Sequence, residues 1–207
     1  MTISDIFTNF DKQCILAKSS INFVNKSEYL ATGELKNVRD MVVKQAFLSV
    51  FTEWEHFLEY STIAYSLGKK SIKGHCPIRY ILPKNEEHAN QLIKGTSSYP
   101  DWSKMDVVIK LEESLFEGGL PYKDALQGFS STFKAIKKVR NYVVHNSLKS
   151  SEEFDSLVRT ELRASSVGIS PTEFLLSKKN GNPFFYEIYI THLNNAARKI
   201  AEYEPVL

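Results

Sequence analysis

The chain of 207 residues is long enough to bury one sizeable core but short for two, which predicts a single domain over residues 1–207. A hydrophobic content of 43%, a charged content of 24% and a formal net charge of +2 exclude a protein that is strongly basic throughout. Two cysteines are too few for a disulfide framework. Because the sequence shows neither a signal-peptide pattern nor an uninterrupted apolar run of about 18 residues, we expect a cytoplasmic protein with no membrane partner.

Helices dominate the predicted secondary structure, because only 9 Gly and 7 Pro interrupt the chain. Apolar residues recur at intervals of three and four along each predicted helix, as on the inner face of a packed helix. The predicted helices cover residues 4–23, 35–67, 86–93, 104–116, 122–146, 152–162 and 186–203. The stretch SPTEFLLSKKNGNPFF, residues 170–185, predicts a small hairpin around Asn180-Gly181. The expected fold class is therefore all-α, with a minor β-hairpin near the C-terminus.

The helix predicted over residues 122–146 carries Arg140, Asn141 and His145 close to its end. At 100° per residue the three lie within about 140° of one another around the helix, and Asn141 and His145 are i, i+4 neighbours. Apolar residues on the buried side of the same helix precede them. A polar trio at the end of a core-facing helix is thus expected at the rim of the fold, within reach of solvent or a partner.

The chemistry of these three side chains suits RNA cleavage without a metal. An imidazole can transfer protons near neutral pH, a guanidinium can hold a phosphate through two hydrogen bonds, and an amide can orient either of them. A structural alternative stays open on the spacing alone. In that alternative His145 is a C-terminal helix residue favoured by the helix dipole, and Arg140 is a surface ion-pair partner.

The segment RNYVVH, residues 140–145, resembles the Arg-x4–6-His motif of HEPN domains, in which Asn follows the Arg. The stretch FTEWEHFLEY, residues 51–60, is similar to the acidic, aromatic helix of that superfamily. Four further segments resemble the RiboL-PSP-HEPN branch of this superfamily. They are RYILPKNEEHANQLIKGTSSYPDW, FKAIKKVRNYVVHNS, FDSLVRTEL and EFLL. The likeness extends from about residue 47 to the final helix, and it implies a HEPN-type helical bundle.

The resemblance implies a metal-independent endoribonuclease that needs no cofactor and acts as a toxin, in phage defence or in a stress response. Arg140 and His145 would be its catalytic pair, Asn141 a supporting polar residue, and Glu55, with Glu59 second, the acidic residue on the partner helix. HEPN domains typically form homodimers, and two copies would supply both the acid and the base of a composite active site.

An antitoxin or another regulatory protein is a further partner that the resemblance implies. One departure concerns regulation, because HEPN toxins that are silenced by adenylylation carry a Tyr two residues after the His. Here Ser147 stands at that position, so this form of silencing is not expected. The alternative reading is a non-catalytic HEPN module that binds RNA or a partner protein through the same cleft.

Two further groups of residues have candidate roles. Lys134, Lys137 and Lys138 lie beside the proposed cleft at helical spacing, where they could hold the RNA backbone. Basic and aromatic residues between 69 and 102 could guide RNA by charge and stacking, or they could form a solvated loop whose aromatic residues are buried. This second group comprises Lys69, Lys70, Lys73, His75, Arg79, Tyr80, Tyr99 and Trp102.

A metal site is not expected from the sequence. His75, Cys76 and His88 are the residues that could suggest zinc. Adjacent His and Cys are poorly spaced as ligands, and no second Cys pair exists.

Overall fold

The structure is a computed structural model, and it confirms the all-α class for the part of the chain that it describes. That part comprises residues 1–27, 33, 35–95, 100–163, 168–179, 181 and 183–205. Its helices are α1 (Ile3–Lys26), α2 (Leu35–Ser66), α3 (Glu86–Lys94), α4 (Met105–Leu115), α5 (Tyr122–Gln127), α6 (Ser130–His145), α7 (Leu148–Leu162), α8 (Pro171–Leu175) and α9 (Phe185–Ala201). Within these ranges, β pairing is limited to isolated bridges at Arg79–Phe116 and Lys178–Phe184. None of the described helices is both long and apolar enough to cross a bilayer.

The chain divides into two compact units, each of which is assembled from separate stretches of sequence. The first unit comprises Met1–Asp11, Glu53–Ser130 and Leu193–Leu207, and the second comprises Lys12–Thr52 and Ser131–His192. Helices α1, α2 and α9 therefore each contribute residues to both units. The assignment of residues 1–207 to one domain stays a prediction.

An aromatic cluster forms part of the core of the first unit. Phe10 of α1 packs against Trp54 and Phe57 of α2, with ring centroids 5.9 and 5.6 Å apart. Trp54 and Phe57 also stack on each other at 5.9 Å. All three side chains are almost completely buried, as their positions on the apolar stripes of the two helices predict.

A buried polar cluster joins α2 to α4 in the same unit. The Thr62 hydroxyl donates a hydrogen bond of 2.5 Å to Oε1 of Glu112, and the Tyr122 hydroxyl donates one of 2.9 Å to Oγ of Ser61. Glu112 is fully buried, and its Oε2 has no hydrogen-bond partner among the described residues. Because burial penalises the charged carboxylate, the pKa of Glu112 rises to about 8.

Stacked aromatic side chains also form much of the core of the second unit. Phe174 of α8 stacks on Phe185 of α9 at 4.5 Å and meets Phe154 of α7 edge-on at 5.7 Å. Tyr142 of α6 stacks on Phe154 at 4.8 Å. Helix α6 is therefore anchored through Tyr142 to the aromatic core of this unit.

The long helix expected over residues 122–146 is in fact two helices, α5 and α6, with a break at Gly128 and Phe129. The Phe129 amide donates to the Leu126 carbonyl three residues back at 3.4 Å, which tightens the chain into a turn. Glycine destabilises a helix interior by about 1 kcal/mol relative to alanine, so the break falls where helix propensity is weakest.

The predicted hairpin is not confirmed, and the first part of its stretch is helical. Ser170 and Glu173 form a capping box that begins α8 at Pro171, a favoured residue for the first helical turn. Beyond the helix, the Lys179 amide donates to the Pro183 carbonyl at 3.1 Å beside the Lys178–Phe184 bridge. The proposed turn residue Asn180 lies outside the described residues.

Candidate functional site

Helix α6 ends at His145 because the next residue leaves the helical conformation. Asn146 has a φ of 42°, in the left-handed region that Asn tolerates better than most residues, and its amide still donates to Tyr142 at 3.0 Å. Ser147 then caps α7, and its side chain accepts a hydrogen bond from the Ser150 amide. The chain thus passes from α6 to α7 within two residues, and Arg140, Asn141 and His145 lie on the last two turns of α6.

The guanidinium of Arg140 is held in a defined position. Its Nη1 donates to Oδ1 of Asn141 at 3.3 Å, and its Cζ lies 5.4 Å from the centre of the Phe51 ring. Phe51 is 1% exposed, so it forms a rigid base for the half-buried guanidinium above it. Arg has five N–H donors in a planar fork, and the bond to Asn141 uses one of them. The structure thus brings two of the predicted site residues, Arg140 and Asn141, into direct contact.

His145 is exposed at the end of the same helix. Within the described part of the chain its imidazole makes no hydrogen bond or ion pair, so both ring nitrogens can meet a ligand. Asn141 is half-buried one turn earlier, and side chains at i and i+4 on a helix are about 5–6 Å apart at Cβ. Asn141 therefore lies next to both the guanidinium and the imidazole.

The three lysine side chains lie on α6 and are all at least partly accessible. Lys134 is exposed, whereas Lys137 and Lys138 are intermediate. Lys134 and Lys138 are spaced so that they continue the line of Asn141 and His145 along one side of the helix. At 1.5 Å per residue, that line is about 16 Å long from Lys134 to His145. It is a basic stripe that ends at the exposed imidazole.

The predicted acidic residue Glu55 lies on α2, in the portion that belongs to the first unit, and it is half-buried there. Glu59, one turn further along, is also half-buried. Arg140 and His145 belong to the second unit. The pairing of Glu55 with either of them stays a prediction.

The basic and aromatic residues between 69 and 102 divide into buried and exposed members. Trp102 is buried and Lys73 forms an ion pair of 2.7 Å with Glu204, whereas Tyr80 is 59% exposed. The Arg79 side chain donates to the backbone carbonyl of Ser66 at 3.0 Å. These contacts favour the loop alternative for most of the group. Tyr99 lies outside the described residues.

Two residues are distinctive in the structure although the sequence alone predicts no role for them. Phe51 stands at the start of the stretch that suggested an acidic, aromatic helix, yet its contact with Arg140 is long-range and no spacing rule predicts it. In the sequence Glu112 is an ordinary glutamate of a predicted helix, and its complete burial depends on tertiary packing. In the part of the chain that the structure describes, no group of three or more His, Cys, Asp or Glu side chains could hold a metal ion.

No protein-family model, curated protein or solved structure matches this chain. The side-chain set can hold a phosphate through Arg140 and transfer a proton through His145. That combination is typical of phosphodiester chemistry that proceeds without a metal.

Proposed function

We propose that this chain is a HEPN-type, metal-independent endoribonuclease. The observation that carries the proposal is the pairing, on one helix, of a restrained guanidinium and an exposed imidazole. Arg140 is fixed against Phe51 and Asn141, and His145 is accessible five residues later. An all-helical fold with the intact Arg-Asn-x3-His order is what the HEPN resemblance implies.

In the proposed reaction, the 2′-hydroxyl of a ribose attacks the adjacent phosphorus while the bond to the 5′-oxygen of the next nucleotide breaks. One His145 accepts the proton of the 2′-hydroxyl, and a second imidazole donates a proton to the departing 5′-oxygen. Arg140 neutralises the charge that develops on the phosphorane, and Asn141 and Glu55 orient these groups. The products are a 2′,3′-cyclic phosphate and a 5′-hydroxyl.

A second imidazole is required because one α6 offers a single His145. The proposed solution is a homodimer in which two copies of α6 form one composite active site about a two-fold axis. Val144 and Leu148 support an interface near the motif, since they flank His145 in sequence and are 48% and 79% exposed. Apolar side chains in such a position are suited to contact with another chain.

The proposed substrate is RNA, whose backbone would follow the basic stripe of Lys134 and Lys138, with Lys137 beside it. The proposed setting is the cytoplasm, where the enzyme would act as a toxin, in phage defence or in a stress response. An antitoxin or another regulatory protein would restrain it.

The test is cleavage of tRNA and total RNA in the presence of EDTA by the parent protein and by His145→Ala. A matched control is His88→Ala, because His88 is a partly exposed histidine of the first unit that belongs neither to the site nor to the candidate RNA-guiding residues. We expect 2′,3′-cyclic phosphate ends from the parent and from His88→Ala, and none from His145→Ala. Equal activity in all three proteins would exclude the assignment of His145.

The exposed apolar pair Val144 and Leu148 also favours a second candidate function, a non-catalytic HEPN module that binds RNA or a partner protein. The same assay separates the two functions when RNA binding is titrated against salt. A module that binds RNA without cutting it would bind equally in the parent and in His145→Ala, and its affinity would fall steeply as salt rises.

A further inference from the structure

A shallow groove runs between α1 and α2 in the second unit. Its volume is about 380 Å³, and its lining is drawn from residues 13–20 of α1 and 41–49 of α2. Small side chains form its floor, namely Ala17 and Ser20 from α1 and Ala46 and Ser49 from α2. Small residues between two helices leave space for apolar side chains of a third element.

Exposed apolar side chains form the rims of this groove. Leu16 on α1 is 60% exposed, and Met41 on α2 is 63% exposed. Phe23 follows Leu16 by two turns on α1 and is 75% exposed, so it extends the first rim. Val38 precedes Met41 by one turn on α2 and is 41% exposed, so it extends the second. Together the four side chains expose on the order of 400 Å² of apolar surface, a size at which surface patches are commonly interaction sites.

The charge of the groove narrows the choice of partner. None of the nine described residues that line it is charged. In a two-fold interface each patch meets its own copy, so a charged patch would repel itself, whereas a neutral one does not. Lys44, on the flank of α2, is already paired with Asp40 at 2.5 Å. Lys12 lies one turn before Leu16 on the same face of α1, where it is exposed beside the rim but is not one of the residues that line the groove.

The area also fits a second copy of the chain. A standard interface buries about 800 Å² on each partner, of which roughly 57% is apolar, or about 450 Å². The exposed apolar surface of the four rim residues is of that size, and the neutral polar side chains Gln13 and Gln45 add polar area beside it.

We propose that the groove between α1 and α2 is a self-association surface, in which Leu16 and Met41 of one copy pack over the small-residue floor of the other. This interface is separate from the motif helix α6, and it does not depend on the proposed ribonuclease. A chain that used both surfaces would assemble beyond the dimer, whereas one that used the groove alone would form dimers.

The test is the molar mass of the full chain in solution, measured by light scattering and sedimentation velocity between about 1 and 100 µM. Leu16→Glu and Met41→Glu place a carboxylate in the contact and should raise the dissociation constant at least about 100-fold, which halves the mass. The matched control is Ile15→Glu. Ile15 is 57% exposed, but it lies on the side of Leu16 away from the lining residues, so its variant should keep the parental mass.

Three outcomes would overturn the proposal. They are a monomeric parent at 100 µM, an unchanged mass in both groove variants, and an equal loss of mass in Ile15→Glu. RNA cleavage does not enter the measurement, so the groove and the ribonuclease can each fail without the other.

Discussion

Replacing Glu112 with Gln tests the buried polar cluster between α2 and α4. Glu112 is fully buried, and Thr62 is the donor that meets its carboxyl group there. The substitution keeps the size and the acceptor that Thr62 needs, but it removes the ionisable proton. We expect the free energy of unfolding to become less dependent on pH between about 4.5 and 8.

The direction and size of the effect follow from proton binding. Burial raises the pKa of Glu112 from 4.5 in the unfolded chain to about 8 in the folded protein. Between these values the native state holds a proton that the unfolded state has lost, so the free energy of unfolding falls as the pH rises and is constant above both pKa values. At 1.36 kcal/mol for each pH unit, the loss across this window is roughly 5 kcal/mol. Such a loss is a large share of the stability of a typical domain, about 5–15 kcal/mol.

The assay is urea unfolding at several pH values from 4 to 9 for the parent and for Glu112→Gln. In Glu112→Gln the new amide nitrogen takes the place of Oε2, which has no hydrogen-bond partner among the described residues. Its N–H is therefore buried without an acceptor, which lowers the free energy of unfolding by about 1–3 kcal/mol at every pH. The informative quantity is therefore the slope of the difference between the two proteins against pH. Glu113→Gln is the matched control, because Glu113 is an exposed neighbour that pairs with Lys123 at 2.6 Å. A difference between parent and Glu112→Gln that stays constant from pH 4 to 9 would refute the reasoning.

Substitutions at three further positions test the second unit. Arg140→Ala should lower RNA cleavage by about 100-fold or more. It should also lower the free energy of unfolding by about 1 kcal/mol as its contacts with Phe51 and Asn141 are lost, and full activity would exclude the phosphorane role. Asn146→Ala should cost about 1 kcal/mol by urea unfolding, because Asn adopts a φ of 42° more readily than other residues that carry a Cβ, whereas Asn146→Gly should cost nothing. Equal losses in the two variants would contradict this account. Thr172→Val should lower the free energy of unfolding by about 1–2 kcal/mol, because Thr172 is buried and its hydroxyl donates a hydrogen bond to Asp40. An unchanged melting temperature in thermal unfolding would show that this hydrogen bond is dispensable.

Local pattern was sufficient to predict most of the helices. The apolar stripe that predicted a helix over residues 35–67 corresponds to α2, which spans Leu35–Ser66. The predicted start of α7 was four residues late, because its N-cap is Ser147 paired with Ser150, whereas the expected box carries Glu or Gln at the second position. The break between α5 and α6 was missed because the apolar period continues through Gly128.

The sequence places the candidate site residues together on one helix, but it does not show what supports them. Arg140, Asn141 and His145 are close in sequence, so helical geometry alone placed them together. The Phe51 ring under Arg140 comes from a helix almost ninety positions earlier, and no local rule links the two. The burial of Glu112 is likewise a property of the packed fold, since its neighbours in the sequence, Leu111 and Glu113, do not indicate it.

The division of α1 and α9 between both units has a consequence for synthesis on the ribosome. The Tyr65 hydroxyl donates to the Ile200 carbonyl, 135 positions away, and Lys18 bonds to Thr191, 173 positions away. At roughly 5–20 residues per second, the ribosome takes about 7–27 s to proceed from Tyr65 to Ile200, which is its hydrogen-bond partner. Neither unit can close its core until α9 has emerged, so the nascent chain exposes apolar helix faces for most of its translation. A ribosome that stalls before α9 is made therefore leaves the cores of both units incomplete.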